Sequence, residues 1–286
     1  MHDVTVVGSA NLDLVAHTER IPDPGETLLA TGYAEHPGGK GLNQAVAAAR
    51  AGAATAFIGA LGDDDAGTTL GEVLVAAGVD DSHVMHVGVP TGRALITVSN
   101  DAENTIIVVP GANARLTAPT ALFPTRVVAT QLEIPLPTVR RVLELGRGLG
   151  AMTLLNPAPA TRLDTDLLAL VDVLTPNEHE LALLGGTDAL HAAGVGAVVV
   201  TLGAAGAAIY RPERPAQPID PFPVDAIDTT GSGDAFNGTL ATLLADGATL
   251  SDAVRVACAA GALAATTEGA VPSLPARAAI DALVGG

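Results

Sequence analysis

The residues best suited to chemistry are those of the stretch Asp228-Thr229-Thr230-Gly231-Ser232-Gly233-Asp234-Ala235-Phe236-Asn237-Gly238. From Asp234 onward, Ala235, Phe236, Leu240, Leu243 and Leu244 recur at helical steps and Gly247 closes the run, which predicts a helix with one buried face. Gly231, Ser232 and Gly233 then form the loop at its N-terminus. The first N–H groups of a helix lack internal partners and carry the positive end of the dipole, and small residues let an anion come close. A carboxylate at that place is either a helix cap or a base that takes a proton from a group attacking the anion.

Other polar groups are spaced for binding. Gly38-Gly39-Lys40-Gly41 leads into a helix expected over 42–50, where Lys40 and Asn43 supply donors to hydroxyl groups. Asn11 and Asp13, two residues apart in an extended segment, point the same way or close an Asx turn. Asn177 and Glu180 stand one helical turn apart, which suits magnesium held through water or a capping box. Two nucleotide motifs are excluded. A P-loop requires Ser or Thr after its lysine, and the only lysine, Lys40, precedes Gly41; a dinucleotide fingerprint requires glycine at Phe236.

The elements that must position these groups alternate regularly. Strands are expected over 4–8, 56–60, 84–87, 127–131, 152–155, 171–174 and 197–201, with helices over 66–77, 137–147 and 251–265. That rhythm predicts an α/β fold with a mostly parallel sheet covered on both faces, and ligand groups at the strands' C-terminal ends. Gln131-Leu132-Glu133, Asn156 and the 175–180 stretch fall at such ends. A strand over 25–33 and a hairpin of 93–99 with 104–109, turning at Asn100-Asp101-Ala102-Glu103, interrupt the rhythm and predict a separate small sheet.

The chain has 286 residues, a net charge of -17 and no basic run, a composition that argues against nucleic acid and anionic membrane partners. An anionic ligand such as a nucleotide would therefore have to be held by local groups, namely loop amides, a helix dipole and a divalent ion. The single cysteine, Cys258, suits a reducing compartment, and with no signal-like start or membrane-length apolar run the expectation is a soluble cytoplasmic protein.

The 228–238 stretch and the upstream Gly38-Gly39-Lys40-Gly41, taken together, closely resemble the paired signatures of the ribokinase family, the phosphofructokinase-B-type sugar kinases. The resemblance runs from Ser9 to Ser273. It implies a ribokinase-like doubly wound α/β domain over 1–286, with lid strands inserted at about 14–36 and 92–110. It also implies Asp234 as the base for a sugar hydroxyl, with Gly231, Ser232 and Gly233 holding the transferred phosphate. Asn11, Asp13, Gly39, Lys40, Asn43 and Glu133 would bind the sugar. Asn177, Thr201, Gly203, Gly206, Gly233 and Cys258 would lie along ATP, Asn177 and Glu180 near Mg2+, and Asp228, Thr230, Ala264, Thr267, Gly269 and Ser273 around K+. Pairing of two lids implies a homodimer.

The expected activity is ATP-dependent phosphorylation of the primary hydroxyl (O5) of D-ribose. The alternative is a kinase of another small sugar or a nucleoside, such as 2-deoxyribose, fructose or adenosine. The segments expected to form the lid carry one aromatic, Tyr33, which disfavours stacking on a base. A binding protein that has lost turnover is disfavoured because Asp234 is intact.

Overall fold

The computed structural model describes residues 1–101 and 103–286. Ala102, in the turn expected between the hairpin strands, lies outside them. In chain order the strands are β1 (His2–Val7), β2 (Asn11–Thr18), β3 (Gly32–Gly38), β4 (Thr55–Ile58), β5 (Ala60–Gly62), β6 (Met85–Val87), β7 (Gly92–Ser99), β8 (Asn104–Val109), β9 (Thr125–Thr130), β10 (Met152–Leu155), β11 (Val173–Leu174), β12 (Ala197–Thr201), β13 (Ala207–Tyr210) and β14 (Gln217–Ile219). The helices are α1 (Lys40–Arg50), α2 (Asp65–Ala76), α3 (Leu136–Gly148), α4 (Thr165–Leu168), α5 (Glu178–Leu183), α6 (Thr187–Ala192), α7 (Ser232–Ala245), α8 (Leu250–Ala264), α9 (Ala270–Ser273) and α10 (Arg277–Gly285).

One sheet runs in the order β14-β13-β12-β11-β10-β9-β1-β4. Neighbours from β4 to β12 are parallel, and β13 and β14 are added antiparallel at one edge. Both faces are covered because successive residues point to opposite sides. On β9, Val127 and Ala129 join Val4, Val6 and the apolar faces of α1, α7 and α8, while Val128 joins Val7, Leu155, Leu174 and the face of α3. The two cores therefore clamp the sheet and fix the ends of β1, β9, β10 and β11, beyond which the polar residues project.

A second sheet has the order β3-β2-β7-β8, with β2 and β7 parallel and the outer pairs antiparallel. Its strands differ from expectation in two places. The strand expected over 25–33 is displaced to Gly32–Gly38, and the residues from Gly25 to Ala30 are irregular and mostly exposed. The Asn11 segment continues as β2 to Thr18, because its partners on both sides supply a full ladder. The strand expected over 84–87 pairs with β5 in a separate two-stranded ribbon and stands outside the main sheet.

Helices α1 and α7 approach closely at Gly238. A Cβ there would stand 2.5 Å from the Ala47 Cβ and 2.6 Å from the Gln44 carbonyl oxygen. Only glycine permits that contact, and one turn earlier on the same face of α7 stands Asp234.

Candidate active site

Helix α7 begins at Ser232, two residues before the start read from periodicity, and its N-cap is Gly231 at φ 80°. Glycine is required there by the left-handed backbone and by the Ala270 main chain, 3.1 Å from where a Cβ would be. Asp234 is thus the third residue of the helix and does not cap it. Its carboxylate instead accepts from Asn43 Nδ2 at 2.9 Å and from Gln44 Nε2 at 3.0 Å. The Ser232 N–H bonds Thr229 O at 3.1 Å, so this amide is spent on the turn; those of Gly233 and Asp234 have no protein acceptor among the described residues. Asn237, one turn further, accepts from Thr175 and donates to the Gly233 carbonyl, which braces the first turn from beneath.

Asp234 opens into a cleft of about 190 Å³ between the sheet ends and α7. Lys40, Asn177, Glu180, Thr201, Gly231 and Gly233 line it together with Asn156, Thr175, Thr229 and Asn237. Burial works against the Lys40 ammonium, but the charges of Asp234, Glu133, Glu180 and Asp13 outweigh it and hold its pKa above the usual lysine range. A wider surface hollow of about 300 Å³ beneath α3 contains none of these groups, and its Arg140 is paired with Asp164.

Towards the small sheet the acids crowd together. Glu133 Oε2 accepts from Ser9 Oγ at 2.5 Å and from the Lys40 N–H at 3.1 Å, tying the end of β9 to the ends of β1 and α1. Burial, with the negative charges of Glu133 and Asp234, pushes Asp13 up to about 7 against the pull of Lys40. Asn11 Oδ1 is already taken by Asn113 Nδ2 at 2.8 Å, and Asn113 also bonds both polar backbone groups of Ala10. That leaves the Asn11 amide nitrogen as its available group.

On the opposite side, Asn177 and Glu180 form a reciprocal capping box, with bonds of 2.8 and 2.9 Å. Burial raises the Glu180 pKa against the Asn177 N–H and the charges of Lys40 and His179. Asp228 accepts from the N–H groups of Thr230 and Gly269, at 2.9 and 2.8 Å, and so pins the 228–230 turn to the start of α9. Burial opposes its charge, but these hydrogen bonds win and lower its pKa.

A family model described as pfkB family carbohydrate kinase matches residues 1–277. The chain belongs to the pfkB family of carbohydrate kinases. It is therefore a phosphotransferase, and its fold is that of ribokinases. It is similar to the ribokinase of Haemophilus influenzae, 38% identical over 293 residues, covering 96% of this chain and 95% of that one. Among solved structures it is similar to Thermotoga maritima ribokinase, with a TM-score of 0.92, 34% identity and 100% of each chain covered. Arabidopsis thaliana ribokinase complexed with ribose and ATP matches at a TM-score of 0.90 and 32% identity, covering 100% of this chain and 99% of that one.

Within this pfkB chain the structure gathers Asn43, Lys40, Glu133, Asp13, Asn177, Glu180, Thr201 and Gly233 around Asp234, while Gly39 is the N-cap of α1. Gly203, in the turn after β12, Gly206 at the end of that turn, and Cys258 on α8 do not line the cleft. Cys258 packs against the core, and burial pushes its thiol up to about 12. Of the positions expected around potassium, Ala264 O accepts the Thr267 N–H at 3.3 Å and Ser273 Oγ donates to Ala270 O. Sequence reasoning passed over Gln44 and Asn113 as site residues. Gln44 was detectable as a long amide amid Leu42, Ala45, Val46 and Ala47, whereas nothing local marks Asn113.

Proposed function

We propose that this chain transfers the γ-phosphoryl group of ATP to O5 of D-ribose, with Asp234 as general base. The observation that carries the reading is one buried carboxylate set where an open helix N-terminus and a half-buried lysine meet at the floor of a polar cleft. Asp234 takes the O5 proton, O5 bonds to the γ-phosphorus, and the bond to the β–γ bridging oxygen breaks, leaving ADP. The free N–H groups of Gly233 and Asp234, with Gly231 giving close approach, face the charge that develops on the phosphoryl oxygens. Asp13, Glu133, Lys40, Asn43 and the Asn11 amide offer complementary groups to the sugar hydroxyls. A site built to bond hydroxyls rejects analogues lacking them.

Among the described residues no cluster of three or more His, Cys, Asp or Glu could hold a metal unaided. This fits a Mg2+ carried on the ATP phosphates, where it would neutralise their charge, with Asn177 and Glu180 reaching it through water. The turns pinned by Asp228 would present Thr230, Ala264, Thr267, Gly269 and Ser273 to K+. Thr201, Gly203 and Gly206 would run along the nucleotide, with Cys258 beyond them.

The small sheet would act as a lid over the sugar, from about 14–36 and 92–110. All residues of β8 are exposed, including Ile106, Ile107, Val108 and Val109, and a second lid would cover them in a homodimer. Ile107→Lys should shift the protein to monomer in sedimentation; an unchanged mass would remove that dimer. No helix among the described residues is long and apolar enough to cross a membrane. A free Cys258 fits a cytoplasmic setting.

The deciding measurement is kcat/KM for ribose, 2-deoxyribose, fructose and adenosine at saturating MgATP. Ribose should lead, 2-deoxyribose should follow and adenosine should be poor. A preference for adenosine would overturn the sugar assignment.

A further inference from the structure

Behind Asp234 lies a row of buried amides that the transfer reaction, as described above, does not use. Gln44 Nε2 donates to Asp234 Oδ1 at 3.0 Å and to Asn156 Oδ1 at 3.2 Å, while Gln44 Oε1 accepts from Gln131 Nε2 at 2.6 Å. Asn156 in turn donates to the Thr175 carbonyl at 3.1 Å. Gln44 is 1% exposed and Gln131 is not exposed at all.

The direction of every bond in this row is determined by chemistry. An ionised carboxylate only accepts, so the Gln44 nitrogen must face Asp234. Its oxygen then faces the end of β9 and requires a donor, which Gln131 supplies. A reversed Gln44 would set its oxygen against both Asp234 and Asn156, and a reversed Gln131 would oppose two oxygens. We infer that Gln44 is a positioning residue for phosphoryl transfer, the last link of a one-way chain from Gln131 through Gln44 that aims the Asp234 carboxylate at the attacking hydroxyl. The inference rests on the reading of Asp234 as the base.

The need for such a brace follows from where Asp234 stands. It lies in the first turn of a helix whose free N–H groups also attract its carboxylate. Asn43 holds one oxygen and Gln44 the other. With Gln44 absent, rotation about the Asp234 side chain would carry Oδ1 away from the hydroxyl, while the cleft-lining Asn156, which also loses a donor, keeps its bond to the Thr175 carbonyl. A misplacement of about 1 Å at a reacting group costs on the order of a hundredfold in rate.

The test uses the full chain with Gln44→Met and Gln131→Met, which keep length and apolar packing. Gln44→Met should lower kcat about 30-fold and Gln131→Met about fivefold, with KM for ribose and for MgATP within about twofold of the parent. Because both act through one carboxylate, the double variant should be no slower than Gln44→Met alone. In an Asp234→Asn background, Gln44→Met should leave the residual rate unchanged. If Gln44→Met fails to fold, Gln131→Met and its combination with Asp234→Asn carry the same test. A folded variant with kcat within twofold of the parent, a loss confined to KM, or independent multiplying losses would each overturn the relay. High turnover in Asp234→Asn alone would instead overturn Asp234 as base, so the two failures are distinguishable.

Discussion

The two sides of Asp234 are built from different material. Towards the small sheet the available groups are side chains, Asp13, Glu133 and Lys40, where burial and the nearby acids raise Asp13 and those acids hold the lysine as a cation. Towards the Gly231 turn they are largely main-chain groups, the N–H of Gly233 and Asp234 and the turns that Asp228 ties together. Side-chain groups have identities that a substitution can remove and protons that pH can move. Main-chain groups follow the path of the chain and answer to geometry and to bound ions. Sensitivity to mutation and pH should therefore concentrate on the first side, and sensitivity to metal and salt on the second.

Asp234 belongs to both sides, and its loss should have the largest effect. Asp234→Asn should bind ribose and ATP nearly as the parent does yet lose about two to four orders of magnitude in kcat. Retention of most turnover would show that the carboxylate serves only to order α7.

Asp13 tests the side-chain half. Asp13→Asn should lower kcat/KM for ribose about 10–100-fold, the range of a lost hydrogen bond to a charged group. In the parent, sugar hydroxyls bind the ionised form, so KM for ribose should rise as pH falls below about 7, and the variant should lose this dependence. Stability follows the same titration. The folded-state pKa is raised from 3.8 to about 7, so the fold binds the proton more tightly than the unfolded chain does. Stability therefore declines as pH rises through that window, and the whole cost is present above it. Asp13→Asn should melt higher than the parent at pH 8 and equally at pH 4. A flat KM profile in the parent would erase the contrast between the two sides.

On the other side, Asn177→Ala or Glu180→Ala should raise the magnesium needed for half-maximal rate by about tenfold. Both should also lose about 1 kcal/mol of stability with the capping box. A lower melting temperature with an unchanged magnesium titration would leave these residues as caps alone. The smallest effect expected is that of the monovalent ion. Replacing potassium by tetramethylammonium should lower activity a few-fold and reduce the melting temperature, and Asp228→Asn should blunt both responses. Equal rates and melting points in the two salts would remove that site.

Much of the fold was legible because its signals are local. The apolar steps in α7 and α8, the valine-rich strands and their alternation with helices all follow from periodicity. The displaced strand Gly32–Gly38 was not legible, since Glu35 and His36 have little strand propensity and are ordered by pairing with β2. Lys40 and Asn43 stood out as polar groups in a glycine-rich entry to a helix, whereas Asp13 and Glu133 were assigned to the sugar only through the family resemblance.

By itself the sequence determined the alternation of strands and helices in the main sheet, and that an acid would stand at the start of α7 beside small residues, since helix periodicity and turn-forming glycines act within a few positions. Only the tertiary structure decided that Asp234 is no cap. Its two partners are 191 and 190 residues away and reach it because Gly238 lets α1 and α7 touch. The same long-range closure turned Gln44 inward, whereas the Asn177–Glu180 capping box and the Ser232–Thr229 bond close within three residues. Which polar atoms remain free for a ligand depends on hydrogen bonds made elsewhere, and those are settled only when distant segments pack.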